Sequence, residues 1–469
     1  MNELAGKLII FPHIYIFLIT IMFYIYHILC IKKYAITITK ELIWVFISTL
    51  FGACLIVLYN NYFVSDLIST LMYFGVNIFL LCLLSLIFIF YIFGPKLIDY
   101  NINYDFITVT LLSLLGVAIN IAAYEFISFY VSLELLSLSN IGLILFYNKE
   151  KNIHFLAIKY LLLSALFSVI LLYGISLIYG AMGSMNMSNI QAIIGSSQQV
   201  NILLYIGMVM VVLAVISKLA LVPVHAWMIN IYSKLPRLIF YYLIITIKLA
   251  LMFALIKLLW LVFSNIPQLW MPIIEIISFA SIIFSYLACL LTNSFNKLII
   301  YMLVASLGNF LLLLLDIGNY YSVELYIITF LILILSLIYI LAQLKLIHKD
   351  FKILELKGIY QKYKLLTVAL IIVLLGLVGF PPFLSFWYKL SIFDYLISHN
   401  HITLVVLLAC SSVLGYIAIL KNISIIMLPS ESNHISIVKN KFVNISLLLL
   451  IIINILGVFI INWVGALFD

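Results

Sequence analysis

Apolar runs of about 20 residues, each long enough to cross roughly 30 Å of hydrocarbon as a helix, recur along the whole of this 469-residue chain. That recurrence leaves few folds open. A lipid-spanning segment must satisfy its own backbone polar groups, so only helices and closed barrels are available. Barrel strands alternate in polarity and are about 10 residues long, whereas these runs are longer and continuous. A water-soluble globule is excluded as well. The chain is 67% hydrophobic and only 9% charged, against about 25% charged in soluble domains. The expected fold class is therefore an all-α polytopic membrane protein.

Hydropathy predicts about 14 transmembrane helices, near 8–30, 42–60, 69–93, 106–122, 124–147, 155–180, 201–224, 237–263, 272–292, 298–316, 323–347, 365–395, 402–427 and 443–466. The basic residues agree with this count. Lys32, Lys33, Lys149, Lys345, Lys362, Lys364 and Lys441 all fall on the side reached after odd-numbered spans, as do most of the other lysines. The positive-inside rule places that side in the cytoplasm or mitochondrial matrix, with both termini opposite. The net charge of +8 is thus a topology signal, and a nucleic-acid partner is not expected. The N-terminal residues run directly into an apolar segment, which argues against a cleavable leader. Richness in Ile, Phe, Tyr, Asn and Lys suggests an AT-biased genome. The expected location is the mitochondrial inner membrane, organelle-encoded, with termini on the intermembrane-space side; the alternative is a bacterial plasma membrane.

Four charges lie too deep to reach water easily: Glu134 in span 5, Lys218 in span 7, Lys248 in span 8 and Lys389 in span 12. At the bilayer centre they would together cost roughly 10–14 kcal/mol, so they must face the interior, pair, or meet water. Desolvation disfavours a charged lysine, whereas a nearby carboxylate favours it. A buried lysine with a carboxylate partner is therefore a site whose hold on a proton can be switched, and Glu134 with Lys218 is the expected pair. Pro223 interrupts span 7, and Pro381 and Pro382 interrupt span 12. Broken helices at membrane depth are tolerated where they line a polar cavity, and in transporters they mark the ion path. Two such spans, five apart, suggest two inverted five-helix repeats, spans 4–8 and 9–13. The expected division is an N-terminal three-helix segment (1–100), a first repeat (101–264), a second, inverted repeat (265–430) and a C-terminal helix (431–469).

Other residues carry weaker signals. His225, beside the first break, and Asp394 are secondary candidates for a proton path; packing or capping is the favoured reading for His225, and solvated or interfacial charge for Asp394. Lys159 and Lys257, nearer span ends, are expected to snorkel. The five cysteines are scattered, with no metal-ligand or Cys-x-x-Cys spacing, and no phosphate loop or haem motif is present. No cofactor or metal is expected on this chain.

Three stretches carry a family resemblance: FYVSLELLSLSNIGLIL, KYLLLSALFSVILLYGISLIYGAMG and SKLALVPVHAWMINIYSKLP. They resemble the antiporter-like proton-pumping subunits of respiratory complex I (NADH:ubiquinone oxidoreductase), most closely the N-type or subunit 2 branch, over residues 100–430. The resemblance implies that Glu134 modulates the span-7 lysine Lys218, that Lys248 is the central lysine, and that Lys389 lies near the exit half-channel. It implies that quinone reduction elsewhere drives proton uptake on one side and release on the other. It also implies neighbouring membrane-arm and antiporter-like subunits, lipids such as cardiolipin, and flavin, iron–sulfur clusters and ubiquinone held by other subunits. Departures occur at Ile229-Asn230, at Ser233–Pro236, at Ser385 and Tyr388, and at Ser306, where relatives carry Pro-Asp, Glu-Gly-Ala-Pro, glycines and a histidine. Two alternatives share the architecture: a multisubunit cation/proton antiporter subunit, and a non-conducting scaffold.

Overall fold

The computed structural model describes residues 70–99, 104–147, 151–196, 201–344, 352–429 and 441–468. The expected spans 8–30 and 42–60, the chain termini and several loop lysines lie outside the described residues. Of the other twelve expected spans, ten each fall on one helix and two are interrupted. The helices are α1 (Thr70–Asp99), α2 (Tyr104–Ala122), α3 (Phe126–Tyr147) and α4 (Lys151–Met182), then a short α5 (Met187–Ser196) and α6 (Ile202–Leu219). Next come α7 (Ala226–Tyr232) and α8 (Arg237–Ile256), which runs on as a π-helical turn over Lys257–Val262. The series closes with α9 (Pro267–Leu291), α10 (Phe295–Leu313), α11 (Tyr320–Gln343), α12 (Lys364–Val378), α13 (Leu384–Ser398), α14 (Ile402–Met427) and α15 (Lys441–Phe468). Among the described residues there is no β-strand, and ten helices are long and apolar enough to span a bilayer.

Local chemistry explains most boundaries. Ser294 caps α10 by accepting from the Lys297 amide, and Asn319 caps α11 by accepting from that of Ser322. Gly379, at φ +79°, ends α12. Its amide bonds Gly376 O and the Phe380 amide bonds Leu375 O, the two bonds of a Schellman motif. Two of the expected spans are each two helices. Span 7 is α6 and α7 around Ala220–His225, and span 12 is α12 and α13 around Gly379–Phe383. The Val222–Pro223 and Pro381–Pro382 peptide bonds are cis. Span 9 begins earlier than hydropathy suggests, at Pro267, because the helix absorbs Pro272.

The chain forms two compact units. One comprises residues up to Leu219 together with Leu238–Trp270; the other comprises Ala220–Arg237 and Met271 onward. In the first unit α4 lies close along α6. A Cβ on Gly207 would stand 2.8 Å from Gly174 O, and one on Gly174 would stand 3.0 Å from Gly207 O, so only glycine permits the approach. Helix α8 is buried at every residue from Arg237 to Trp260. In the second unit α10 is buried at every residue except Lys297 and Tyr301.

Candidate functional site

The first unit brings three of the predicted charges into ordered positions. Lys218 occupies the last turn of α6, and its ammonium lies 3.3 Å from Glu134 Oε1 on α3. The same ammonium donates to Ser137 Oγ at 3.3 Å, one turn along α3, and to Ser168 Oγ at 2.9 Å on α4. Ser168 in turn donates to Glu134 Oε1. Ser168 thus bridges the ammonium and the carboxylate, while Ser137 accepts from the ammonium and donates to Leu133 O at 2.8 Å. The pair is asymmetric, because the Lys218 side chain is 8% exposed and that of Glu134 25%.

Lys248 lies one helix on, 1% exposed on α8. Its ammonium donates to Leu219 O, the carbonyl of the last residue of α6. The last carbonyls of a helix have no intrahelical partner and carry partial negative charge, so a cation there is stabilised by about 0.3–2 kcal/mol. The residue that follows, Ala220, has φ +63°, a left-handed conformation that a non-glycine residue pays about 1–2 kcal/mol to adopt.

The second unit repeats the arrangement. Lys389 on α13 is 1% exposed. It donates to Val378 O, the last residue of α12, and to Ser412 Oγ on α14 at 3.3 Å. Its ammonium stands 5.7 Å from the Tyr416 ring centroid, and the Tyr416 hydroxyl donates to Gly379 O at 3.0 Å. A Cβ on Gly379 would come within 2.7 Å of Lys389 Cε. Each break therefore presents the same device: a helix C-terminus, a left-handed residue after it, and a buried lysine on the freed carbonyl.

The secondary candidates are dispersed. His225 is buried in the second unit, with its ring centroid 4.4 Å from that of Phe284. The amide freed nearby, Val222 N, donates to Ser281 Oγ on α9 at 3.1 Å, so a neighbouring helix satisfies the broken end. Asp394 is exposed on α13. Lys159 is also exposed, with its ammonium 4.4 Å from the Phe155 ring centroid. Lys257 does not snorkel. It is 1% exposed and donates to Asn120 O, Ile121 O and Ala123 O at 2.7–2.8 Å. Snorkelling fails here because the last carbonyls of α2, with that of Ala123 just beyond it, offer the ammonium partners inside the protein. Sequence reasoning missed these acceptors, and it missed Ser137, Ser168, Ser412 and Tyr416. The serines were visible as polar residues in apolar helices, but a carbonyl leaves no trace in sequence.

Among the described residues no group of His, Cys, Asp and Glu could hold a metal ion. The fold and the lysines at interrupted helices together define a polytopic helical membrane protein of antiporter-like architecture. Residues 123–415 match the family profile described as NADH:quinone oxidoreductase/Mrp antiporter, TM. The chain belongs to this family. A relative named NADH-quinone oxidoreductase subunit N from Pelagibacter ubique (strain HTCC1062) is 30% identical over 344 residues, 72% of this chain and 71% of its own length. The fold is similar to a chain of respiratory complex I from Thermus thermophilus with bound Aureothin, at TM-score 0.76 and 20% identity, covering 95% of this chain and 97% of that one. It is also similar to a chain of the Mrp complex from Dietzia sp. DQ12-45-1b, at TM-score 0.77 and 18% identity, covering 92% and 81%.

Proposed function

We propose that this chain is a proton-translocating membrane-arm subunit of an NADH:quinone oxidoreductase. The observation that carries the reading is the Glu134–Lys218 pair with its two serines. In it, ammonium, hydroxyl and carboxylate share one hydrogen-bonded network inside a membrane-spanning bundle. Serine hydroxyls both donate and accept, so the network survives removal of a proton from the lysine. Movement of Glu134 away from Lys218 removes the charge that favours the ammonium and releases a proton. Lys248 and Lys389 extend the same chemistry, each on a helix-end carbonyl. Moving each proton against the membrane potential costs about 2.3 kcal/mol per 100 mV. A change of two units in a lysine's proton affinity is worth about 2.7 kcal/mol, so the energies are commensurate. His225 and Asp394 are assigned secondary places on the path.

The name of the Pelagibacter ubique relative supports the oxidoreductase assignment. In this reading the chain has no redox centre; flavin, iron–sulfur clusters and ubiquinone belong to other subunits, and quinone reduction there supplies the driving force. Its partners are other membrane-arm subunits, including further antiporter-like ones, and lipids such as cardiolipin. Residues 101–264 and 265–430 act as two inverted repeats. The relatives found are bacterial, which favours a bacterial plasma membrane over the organelle location suggested by composition.

Replacing Lys218 by Met in the assembled complex tests the proposal. Proton pumping driven by NADH is expected to fall at least tenfold; pumping at the unaltered rate overturns it. Similarity to the Mrp complex fold supports a second reading, a subunit of a cation/proton antiporter. Purification without flavin, iron–sulfur clusters or quinone reductase activity would favour that reading. A complex that pumps normally with Glu134, Lys218, Lys248 and Lys389 all neutralised would leave only a scaffold.

A further inference from the structure

Lys257 differs from the other buried lysines in the chemistry of its partners. Lys218 meets a carboxylate and two hydroxyls, Lys248 meets one carbonyl, and Lys389 meets one carbonyl and one hydroxyl. Hydroxyls can reverse from acceptor to donor when the ammonium becomes an amine. Lys257 meets three backbone carbonyls, those of Asn120 at 2.7 Å, Ile121 at 2.8 Å and Ala123 at 2.7 Å. A carbonyl only accepts. Three of them require three N–H donors, which the ammonium has and the amine lacks. An amine would turn its lone pair against a carbonyl oxygen. The Phe253 ring centroid lies 5.0 Å from the same ammonium, a further contact that requires positive charge.

No carboxylate neutralises this charge among the described residues, where the ion pair found is Lys218–Glu134. Glu125, the acid nearest in sequence to the three acceptor carbonyls, is exposed. Helix α5, which packs on the π-helical turn, has no titratable side chain. Of the other titratable groups on or against α8, Cys82, Tyr241 and Tyr242 are uncharged near neutral pH, and Arg237 lies at its far end. Lys218, next to the acceptor of Lys248, has its own acid.

We propose that Lys257 is a positioning residue: a fixed positive charge, clamped on the end of α2, whose field acts along α8 on Lys248. The inference rests on Lys248 carrying protons, as proposed above. Nine residues separate the two lysines, which is about 13.5 Å of rise and half a turn, so the ammonium groups are roughly 17 Å apart. All the intervening residues are buried and apolar, which leaves little for salt or water to screen. At an effective dielectric constant of about 20, one charge at that range moves a titration midpoint by roughly 0.7 pH units. The helix also shifts to π geometry at Lys257; single π turns often occur at functional sites.

The experiment measures NADH-driven proton pumping against pH in membrane vesicles bearing the assembled complex. Lys257→Met is expected to move the pH midpoint up by about 0.7 units, because loss of the fixed charge lets Lys248 hold its proton more tightly. Lys257→Arg, which keeps the charge, is expected to hold the wild-type midpoint. Where Lys257→Met does not assemble, Lys257→Gln carries the test, since its amide donates without charge. A neutral variant that assembles with an unmoved midpoint overturns the proposal. So does failure of both neutral variants to assemble beside a normal Lys257→Arg, which would make Lys257 a structural clamp alone. Lys248→Met separates the two levels of inference: normal pumping in that variant removes the proton-carrying role of Lys248 and the tuning with it.

Discussion

At the scale of single residues, what matters is what each buried ammonium can do after it loses a proton. The Lys218 network contains two hydroxyls that can turn, and one carboxylate that can move. Glu134→Gln keeps an acceptor oxygen for Ser168 but removes the charge facing Lys218. Hydrogen bonds to charged partners are worth roughly 1 kcal/mol more than neutral ones, and this pair is partly exposed. Pumping is therefore expected to fall about fivefold, with quinone reduction retained; parallel assays of both rates check it. Ser168→Ala removes the bridge and leaves the ion pair. It is expected to slow pumping by a smaller factor, with assembly unchanged on native gels. The charges themselves were legible in sequence, because a Glu or Lys inside an apolar run has no inexpensive place to go. The pairing of Glu134 with Lys218 was legible too. Lys257 was misjudged because its distance from a span end suggested water, whereas its partners are main-chain atoms of a helix more than a hundred residues earlier.

At the scale of elements, close helix approach and helix interruption position the lysines. Glycines at 174 and 207 let α4 and α6 touch, which brings Ser168 of one against Lys218 of the other. Gly174→Leu has no room and is expected to part the helices. Because a Cβ there already meets Gly207 O at 3.0 Å, the larger side chain is expected to destabilise the complex by about 1–3 kcal/mol. A thermal shift assay would register the change, and pumping should fall with it. At the second break, Gly379→Ala faces two obstacles, a left-handed backbone and the stem of Lys389. It is expected to displace the ammonium from Val378 O and to abolish most pumping while quinone reduction continues. The prolines announced both interruptions in sequence. The resulting carbonyl docks were not visible, since they depend on which neighbouring helix supplies the lysine.

At the scale of the molecule, charge and exposed apolar surface set orientation in the bilayer. Phe155, Leu162, Val169 and Tyr173 on α4 are all more than half exposed, an apolar face suited to lipid or to another transmembrane helix. Val169→Lys is expected to cost roughly 2.5–3.5 kcal/mol on insertion and to lower the amount of protein recovered in membranes. Basic loops define the other axis. A cysteine introduced at Lys362 should label with a membrane-impermeant thiol reagent from the cytoplasmic side, and one at Asn400 from the opposite side; labelling of both from one side would refute the assigned topology. The burial of α8 and the placement of the acceptors also bear on how such a chain is made. Glu134, Ser137 and Ser168 precede Lys218 in the sequence, Leu219 precedes Lys248, Asn120, Ile121 and Ala123 precede Lys257, and Val378 precedes Lys389. Chains emerge from the ribosome N-terminus first. Among the described residues, each of these four buried lysines is thus delivered to the membrane after at least one group that will receive it, and none of the four has to wait in lipid with all its partners still to be translated.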